Sequence, residues 1–549
     1  MPVTKVVLAL ALLASLSLHD AHADKKTVCT ITVNSPDEKE IFRRSLPRDE
    51  FDFVELVERG RPDWLASACR AGVRCDVLVI SGHFDGGDEF YSDRVDAREF
   101  LPVDEMERVS CSDSCSGLFS QLKEVYLFGC NTLNADAQNI ASAEIARSLR
   151  RSGRSSADAE NLTRVLNERH GDSNRERMRQ IFANVPLIYG FSSKAPLGPA
   201  AATLLDRYFQ PGADGAASIG SGRASPKLLG LFAASSMTSA AGLRDADPQS
   251  DYRRDVCHFA DDRLSSAQKI AFVHDLLRRE MAEVRMFLAH IEKYSTSLGI
   301  AERLDPAVSE ALEDIARDQD SRRRYLEFAR DADEPAVRAR MIKLAHGLGW
   351  LSRDEFRAEL AQMMHDRMAQ NAVGPGDVDL FCGLNDNGEL DQELHRLPAG
   401  TEKTGQDAVR ACLGSEAGRT RVLRALTSAN DDDVQIAQIY LRHRPIHDRD
   451  ALRAIAAEIA QMKSADAQVR ALDTLAGYRL SDRETLDALA RLFPRARSIG
   501  VQRAIAGVLI RADYSAIANP ALVRALREHR LKSPTGEDLI DVLIRRLQS

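Results

Sequence analysis

The sequence lacks the short motifs that carry phosphate, hydride or serine-ester chemistry. It contains no Walker A loop, no dinucleotide-binding glycine fingerprint and no Gly-x-Ser-x-Gly elbow. No Cys-x-x-Cys pair is present, and such pairs are the usual mark of a structural zinc site. These absences argue against a nucleotide-dependent enzyme, a serine hydrolase of the elbow type and a zinc-finger protein.

Two segments superficially suggest metal binding, and neither has the required spacing. Asn385 to Asp391 contains the side chains of a calcium loop without its full ligand spacing, so a turn is the better interpretation. His443 and His447 lie four residues apart, but Pro445 intervenes and no glutamate follows the first histidine, unlike a zinc-peptidase helix. We therefore expect no metal and no cofactor.

Charge and hydropathy exclude two further classes of protein. The net charge of −8 is mild and gives no reason to expect a nucleic-acid partner. Beyond the N-terminus no apolar stretch is long enough to cross a bilayer, so we expect no stable membrane insertion. A chain of 549 residues instead predicts two or three globular domains.

The N-terminus has the three parts of a secretory signal peptide. Lys5 supplies the positive charge, Val6 to Leu18 form an apolar core too short to span a bilayer, and Ala21-His-Ala23 reads as a cleavage site. We therefore predict a signal peptide over residues 1–23, cleaved after Ala23. The mature protein is then exported and is periplasmic or secreted.

Export changes the interpretation of the nine cysteines, because disulfides persist in such compartments. An odd number leaves at least one thiol unpaired if the others form bridges. Cys130 is the natural candidate for the free thiol, since it follows a predicted central strand. The pairing of the remaining cysteines cannot be fixed from the sequence. They are Cys29, Cys69, Cys75, Cys111, Cys115, Cys257, Cys382 and Cys412.

The pattern of strands and helices divides the mature chain into three parts. Residues 24–210 alternate short apolar strands with helices, which predicts an α/β domain with a mostly parallel sheet. Residues 211–262 are rich in Gly, Ala and Ser and then charged, which favours a linker or a loop packed over the first domain. Residues 263–549 are predicted to be α-helical.

The helical part shows two patterns. Apolar residues recur at gaps of three and four from Ile270 to Ile291, which predicts one long amphipathic helix. Further on, Val434, Val469 and Val501 each open an Ala/Leu/Ile-rich helix that is followed by a second helix. The period of about 35 is that of a helix-pair repeat, and such units stack into a solenoid. Chance similarity among Ala/Leu/Arg helices is the alternative explanation.

Two predicted strands each end next to a side chain that is capable of catalysis. The runs Cys75-Asp-Val-Leu-Val-Ile-Ser-Gly-His83 and Lys123-Glu-Val-Tyr-Leu-Phe-Gly-Cys130 are apolar and of strand length. Open α/β sheets place their sites at the carboxyl ends of such strands. A neutral imidazole near a thiol generates a thiolate, which is the nucleophilic form of cysteine. His83 and Cys130 are therefore the candidate catalytic residues.

The same residues resemble a known family. Ser-Gly-His83 after one strand and Leu-Phe-Gly-Cys130-Asn-Thr after the next are similar to the His/Cys pair of caspase-like (clan CD) cysteine peptidases, with bacterial gingipain-like and CHAT-type domains as the nearest comparison. The resemblance covers roughly residues 24–210 and implies a caspase-like α/β fold. The chain departs from the family at Phe84, where a glycine normally follows the histidine.

The resemblance also implies roles for individual residues. Cys130 would be the nucleophile and His83 the general acid and base. The backbone N–H groups of Cys130 and Phe84 would form the oxyanion hole. The substrate pocket would include Ser192 and Lys194 from the segment after a later strand. From their charges, Asp85, Asp88 and Glu89 would favour a basic side chain in the substrate and Lys194 an acidic one, and the alternative is that each is a solvated loop charge. The helical repeats resemble HEAT/armadillo arrays.

These expectations combine into one function and one alternative. We expect an exported caspase-like cysteine endopeptidase that acts on a protein or peptide substrate, with the helical repeats as a surface for a protein partner or the substrate. The alternative is a catalytically inactive caspase-like domain within a periplasmic helical-repeat binding protein, which the replacement of glycine by Phe84 favours.

Overall fold

The structure is a computed structural model that describes residues 25–57, 65–84, 87–92, 99–115, 117–136, 142–170, 173–210, 215–398, 403–512, 520–532 and 538–548. The predicted signal peptide, residues 1–23, lies outside the described residues. The chain divides into two units, residues 1–314 and residues 315–549. The first has an α/β architecture with a mostly parallel sheet, and the second is built from helices.

Eight strands are found among the described residues of the first unit. They are β1 (Lys26–Thr32), β2 (Phe51–Val57), β3 (Val77–Ser81), β4 (Glu89–Tyr91), β5 (Phe100–Pro102), β6 (Glu124–Phe128), β7 (Leu187–Phe191) and β8 (Met237–Ala240). Six of them form one sheet in the order β2-β1-β3-β6-β7-β8, parallel except for β8, while β4 and β5 form an antiparallel ribbon. The predicted strands and the mostly parallel sheet are therefore confirmed.

The helices of the first unit surround this sheet and extend beyond it. They are α1 (Asp37–Ser45), α2 (Ala66–Arg70), α3 (Val103–Cys111), α4 (Ser142–Arg151), α5 (Ser156–His170), α6 (Asn174–Ile181), α7 (Gly198–Tyr208), α8 (Gly215–Ser218), α9 (Pro226–Leu231), α10 (Ser250–Ala260), α11 (Ser266–Leu277), α12 (Met281–Ser297) and α13 (Ile300–Arg303). Helix α14 (Pro306–Arg317) crosses the boundary between the two units.

The central strands are buried on both faces, which explains why they read as continuous apolar runs. Every residue of β3, β6 and β7 is buried. Alternate side chains enter two separate cores, one with α2, α3 and α6 and the other with α1, α7 and α9. The first core includes Leu78, Ile80, Val125 and Leu127, and the second includes Val77, Val79, Tyr126 and Phe128.

The segment expected to be a linker contributes to this sheet. Within residues 211–262 the structure has α8, α9 and α10 and the edge strand β8. Strand β8 pairs antiparallel with β7 from Met237 to Ala240. The Gly/Ala/Ser-rich composition of the segment does not indicate this strand. The strand has only four residues and lies at the edge of the sheet, where a long apolar run is not needed.

The predicted long helix over residues 270–291 is wrong, because the chain forms α11 and α12 instead. Glu280 separates them with extended backbone angles, φ −57° and ψ 135°. At this break the Arg279 guanidinium donates to Asp255 of α10 at 2.7 Å and to Glu283 of α12 at 2.8 Å. These ion pairs hold Arg279 at the break between the two helices. The apolar periodicity continues on both sides of the break and therefore does not indicate it.

All nine cysteines lie in the described residues, and eight of them form four disulfides. The pairs are Cys29–Cys75, Cys69–Cys115, Cys111–Cys257 and Cys382–Cys412. Cys130 is the free cysteine, as predicted. Four disulfides are compatible with an exported protein.

The second unit is a succession of helices. They are α15 (Gln319–Arg330), α16 (Pro335–Gly347), α17 (Arg353–Ala369), α18 (Pro375–Leu384), α19 (Thr404–Cys412), α20 (Glu416–Ala425), α21 (Asp431–His443), α22 (Arg449–Ile459), α23 (Ala465–Ala476), α24 (Arg483–Leu492), α25 (Ile499–Arg511), α26 (Pro520–Glu528) and α27 (Leu539–Gln548). No strand is found among the described residues of this unit.

Helices α21 to α26 form three pairs at the positions where the sequence predicts repeats. The first helices of the pairs are capped by Asn430, Ser464 and Ser498, which are 34 residues apart. The contacts repeat as well: Gln468 Nε2 donates to the Ile459 carbonyl, and Gln502 Nε2 donates to the Phe493 carbonyl. The period of 34 is shorter than the range of about 40–47 residues of HEAT and armadillo repeats.

Candidate active site

His83 and Cys130 follow neighbouring strands of the sheet. Strands β3 and β6 are adjacent and parallel, and Ser81 at the end of β3 is in register with Phe128 at the end of β6. The Gly82 N–H donates to the Phe128 carbonyl at 3.1 Å, so the pairing extends one residue further. The segments that follow β3 and β6 therefore leave the sheet at the same edge. His83 and Cys130 line one cleft there.

The turn that carries Cys130 is held by hydrogen bonds on both sides. Asn131 has a positive φ of 59°, a conformation that asparagine tolerates better than most residues. Its N–H donates to the Ser193 carbonyl at 2.7 Å, and its carbonyl accepts from Asn174 Nδ2 at 3.0 Å. Thr132 Oγ1 donates to the Gly129 carbonyl and accepts the Phe191 N–H. These bonds fix the direction in which Cys130 leaves the strand.

Gly129 is required by a close approach between the two strand ends. A Cβ at this position would lie 2.8 Å from Phe84 Cβ and 2.9 Å from the Gly82 carbonyl oxygen, and 3.1 Å from Phe90 Cε1. Phe84 is fully buried and its ring lies 4.6 Å from that of Phe90. Phe84 thus packs beneath the Cys130 turn, which is a structural role for the residue that departs from the family pattern.

Cys130 is half-buried and its sulfur has a polar contact. Its Sγ accepts a hydrogen bond from the Ala195 N–H at 3.4 Å. Ala195 belongs to the loop between β7 and α7. This hydrogen bond connects the Cys130 side chain to that loop.

His83 is anchored through its backbone. Its N–H and carbonyl form a two-bond antiparallel bridge with Tyr91, both at 2.9 Å. The imidazole lies against the Tyr91 ring, with the two centroids 5.4 Å apart. The bridge makes His83 an extension of the β4–β5 ribbon, so its position depends on this ribbon as well as on β3.

Two backbone N–H groups at the strand ends donate no hydrogen bond within the described part of the chain. They belong to Cys130, which lines the cleft, and to Phe84, which does not. Buried backbone N–H groups are normally paired, so unpaired donors require an explanation. They are the two groups expected to form an oxyanion hole.

Glu38 is a residue that sequence reasoning missed. It lies in the first turn of α1, is 3% exposed and lines the same cleft. Ser81 Oγ donates to its Oε2 at 2.9 Å. Burial raises the pKa of the Glu38 carboxyl from 4.5 to about 7, and the Ser81 hydrogen bond and backbone hydrogen bonding oppose that shift. The cleft therefore contains an acid that changes charge near neutral pH.

The cleft itself is small. It encloses about 50 Å³, which is room for a few water molecules. Besides Glu38, His83 and Cys130, it is lined by Asn34 and Ser35 after β1 and by residues 195–198 after β7. Asn34 and Ser35 follow the carboxyl end of β1, so they lie where sites in parallel sheets are expected. The sequence does not show, however, that β1 is the neighbour of β3.

The predicted substrate-pocket residues lie elsewhere or were not described. Asp85 lies outside the described residues. Asp88 is exposed and forms an ion pair with Arg177 at 3.2 Å. Ser192 and Lys194 are exposed, and the Ser192 N–H donates to the Ser236 carbonyl. Of the three described residues, Asp88, Ser192 and Lys194, none lines the cleft that contains Cys130 and His83.

The two rejected metal motifs have structural explanations. Asn385 is fully buried, and its side chain bonds to Asp391, to the Leu390 N–H and to the Cys412 carbonyl, which makes the loop a locked turn. His443 lies between Asp379 and Asp386. Within the described part of the chain, no group of three or more His, Cys, Asp or Glu side chains is placed to hold a metal ion. No described helix is long and apolar enough to cross a membrane.

Comparison with known proteins adds no relative. No protein family model, no curated protein and no solved structure matches the chain. The assignment of a function therefore depends on the geometry of the cleft.

Proposed function

We propose that this chain is an exported cysteine peptidase of the caspase-like type, in which Cys130 is the nucleophile and His83 the general acid and base. The observation that carries the proposal is that His83 and Cys130 both line one cleft at the carboxyl ends of adjacent parallel strands. The free thiol supports it, since the other eight cysteines are in disulfides.

The proposed reaction uses groups that the cleft provides. His83 takes the thiol proton, and the Cys130 sulfur attacks the carbonyl carbon of a peptide bond. The unpaired N–H groups of Cys130 and Phe84 stabilise the resulting oxyanion. The C–N bond breaks as His83 returns the proton to the amine, which leaves a thioester. Water, deprotonated by His83, then hydrolyses the thioester and regenerates the thiol.

The helical repeats are assigned to binding in this proposal. Three helix pairs with identical spacing of their caps are typical of a solenoid that presents a continuous surface to a protein partner. Such a surface would recruit or position the protein substrate.

A second candidate function is a binding protein whose caspase-like domain is inactive. The observation that favours it is the size of the cleft, since a space of about 50 Å³ does not admit a peptide side chain unless the loop at residues 195–198 moves.

Hydrolysis of a quenched fluorescent peptide library separates the two functions. We expect turnover by the wild type and by Ser156→Ala, an exposed control position in α5, and loss by a factor of about 100 or more in Cys130→Ala and His83→Ala. Equal residual turnover in all four proteins would end the peptidase proposal and leave the binding function.

A further inference from the structure

A cleft between two consecutive helix pairs of the second unit is lined by four cationic side chains. It lies where α22 and α24 end and α23 and α25 begin, and it has a volume of about 390 Å³. The cations are Lys463, Arg491, Arg495 and Arg497, and all are exposed. We call these four residues and the space between them the basic cleft. No acidic residue lines it.

The cations of the basic cleft are not neutralised. Among the described residues, none of the four takes part in an ion pair or a side-chain hydrogen bond. The neighbouring arginines of the same repeats behave differently, since Arg453 pairs with Asp482 and Arg470 pairs with Asp431. Like charges that face a common space repel each other, so an arrangement of this kind favours an anionic occupant.

The repeat itself brings two of the cations together. Lys463 and Arg497 occupy the same position in successive repeats, immediately before the capping residues Ser464 and Ser498. Helices α23 and α25 therefore begin at the cleft, and the N-terminal end of a helix adds positive potential to that of the side chains.

Charge also separates this region from the rest of the chain. Residues 449–549 contain 17 lysines and arginines against 12 acidic residues, whereas the whole chain has a net charge of −8. The part of the chain that contains the basic cleft thus has a net charge of +5, opposite in sign to that of the whole chain.

Apart from Gln468 and Ser498, the remaining lining is apolar, which restricts the kind of anion. Met462, Leu492 and Val501 line the cleft together with three alanines. A free phosphate or a lipid headgroup would leave this apolar surface unused. A peptide that carries both acidic and aliphatic side chains matches both parts of the lining.

We propose that the basic cleft binds an acidic, aliphatic peptide segment of a protein partner. The proposal deepens the partner-binding role given to the repeats under the proposed function. It does not depend on the Cys130–His83 dyad.

The test is fluorescence anisotropy with a labelled short peptide of alternating glutamate and leucine, using the full chain. The cleft variant replaces Lys463, Arg491, Arg495 and Arg497 by glutamine. The matched control variant replaces an equal set of exposed cations of the same unit that lie outside the cleft, namely Arg424, Arg449, Arg524 and Lys532. The two variants have the same net charge, so a difference between them reports the position of the charges.

We expect the cleft variant to bind at least about tenfold more weakly than the wild type, and the control variant to change less than about threefold. Replacement of glutamate by glutamine in the peptide, or of leucine by serine, is expected to weaken binding as well. A fold check by circular dichroism accompanies each variant, and Arg495→Gln alone serves as the milder substitution if the fourfold variant does not fold.

Equal affinities of the wild type, the cleft variant and the control variant would overturn the proposal. So would binding of anionic phosphatidylglycerol vesicles, lost in the cleft variant, without binding of the peptide. Repetition with Cys130→Ala separates the two proposals, because this substitution abolishes the proposed hydrolysis while the basic cleft is expected to bind the peptide unchanged.

Discussion

The two units of the molecule position their candidate sites in different ways. In the α/β unit, residues far apart in sequence hold the site: Gly129 contacts Phe84, and Asn131 bonds to Ser193. In the helical repeats, the candidate site is held in place by local helix caps and by contacts between neighbouring repeats. A site built from distant segments has few tolerant positions, whereas a repeated one distributes its stability over many small contributions.

The largest effect on stability is expected at the one described disulfide of the helical unit, because this link is not a local contact. The disulfide, Cys382–Cys412, closes a loop with a sequence separation of 30 residues. The double substitution Cys382→Ala/Cys412→Ala is expected to cost about 2–4 kcal/mol, because the unfolded chain loses the constraint. Urea unfolding followed by tryptophan fluorescence, to which the buried Trp350 contributes, measures the change. Stability within about 0.5 kcal/mol of the wild type would show that local contacts suffice in this unit.

The next effect concerns the pH dependence of the α/β unit. The pKa of Glu38 is about 7 when folded and 4.5 as the reference value for the unfolded chain. The folded state therefore holds a proton that the unfolded state has lost between these values, and stability falls as the pH rises from 4.5 to 7. At pH 8 Glu38→Gln is expected to stabilise the protein by up to about 3 kcal/mol.

The same substitution is expected to leave stability near pH 4 almost unchanged, since Glu38 is then mostly protonated in both the folded and the unfolded protein. Glu40→Gln, at an exposed position of the same helix, is the matched control. Thermal unfolding between pH 4 and pH 8 measures both. Parallel pH profiles for Glu38→Gln and the wild type would contradict the assigned burial of this carboxyl.

A smaller effect tests the contact between the two strand ends. Gly129→Ala introduces a Cβ that meets Phe84, the Gly82 carbonyl and Phe90, and is expected to destabilise the α/β unit by about 1–3 kcal/mol. Gly230→Ala is the control, because a Cβ there has nothing within 4 Å and the residue lies in a helix. The control is expected to be neutral or slightly stabilising. Equal effects of the two substitutions would mean that the strand ends are less closely packed than described.

The smallest effect belongs to the caps of the repeats. Ser464→Ala and Ser498→Ala each remove one side-chain bond to a backbone N–H and are expected to cost about 1 kcal/mol. Because the positions are equivalent, the two costs are expected to be similar and roughly additive. Urea unfolding of the single and double variants measures them. A loss in one variant several times that in the other would argue against equivalent repeats.

The comparison also shows which features the sequence predicts. The strands β3 and β6 were predicted because buried parallel strands are continuous apolar runs. The helix pairs were predicted because Val434, Val469 and Val501 each open an Ala/Leu/Ile-rich helix that a second helix follows. The free thiol of Cys130 was found from the odd number of cysteines. Each of these signals lies within one segment of the chain.

Features that need two distant segments were not predicted. Glu38 is buried in the cleft because β1 pairs with β3, and a single sequence does not reveal strand order. The disulfide pairs of the first unit join cysteines 46 or more positions apart rather than sequence neighbours. The break between α11 and α12 depends on the ion pair of Arg279 with Asp255 of another helix.

Covalent trapping of the thiol tests the central claim most directly. The protein is incubated with a peptidyl acyloxymethyl ketone, and the modified residue is located by mass spectrometry of the intact chain and its peptides. If Cys130 and His83 work together, the probe modifies Cys130 in the native wild type and in Ser156→Ala, and the rate falls at least about tenfold in His83→Ala. The same rate in His83→Ala as in the wild type, or labelling of Cys130 only after denaturation, would contradict the account.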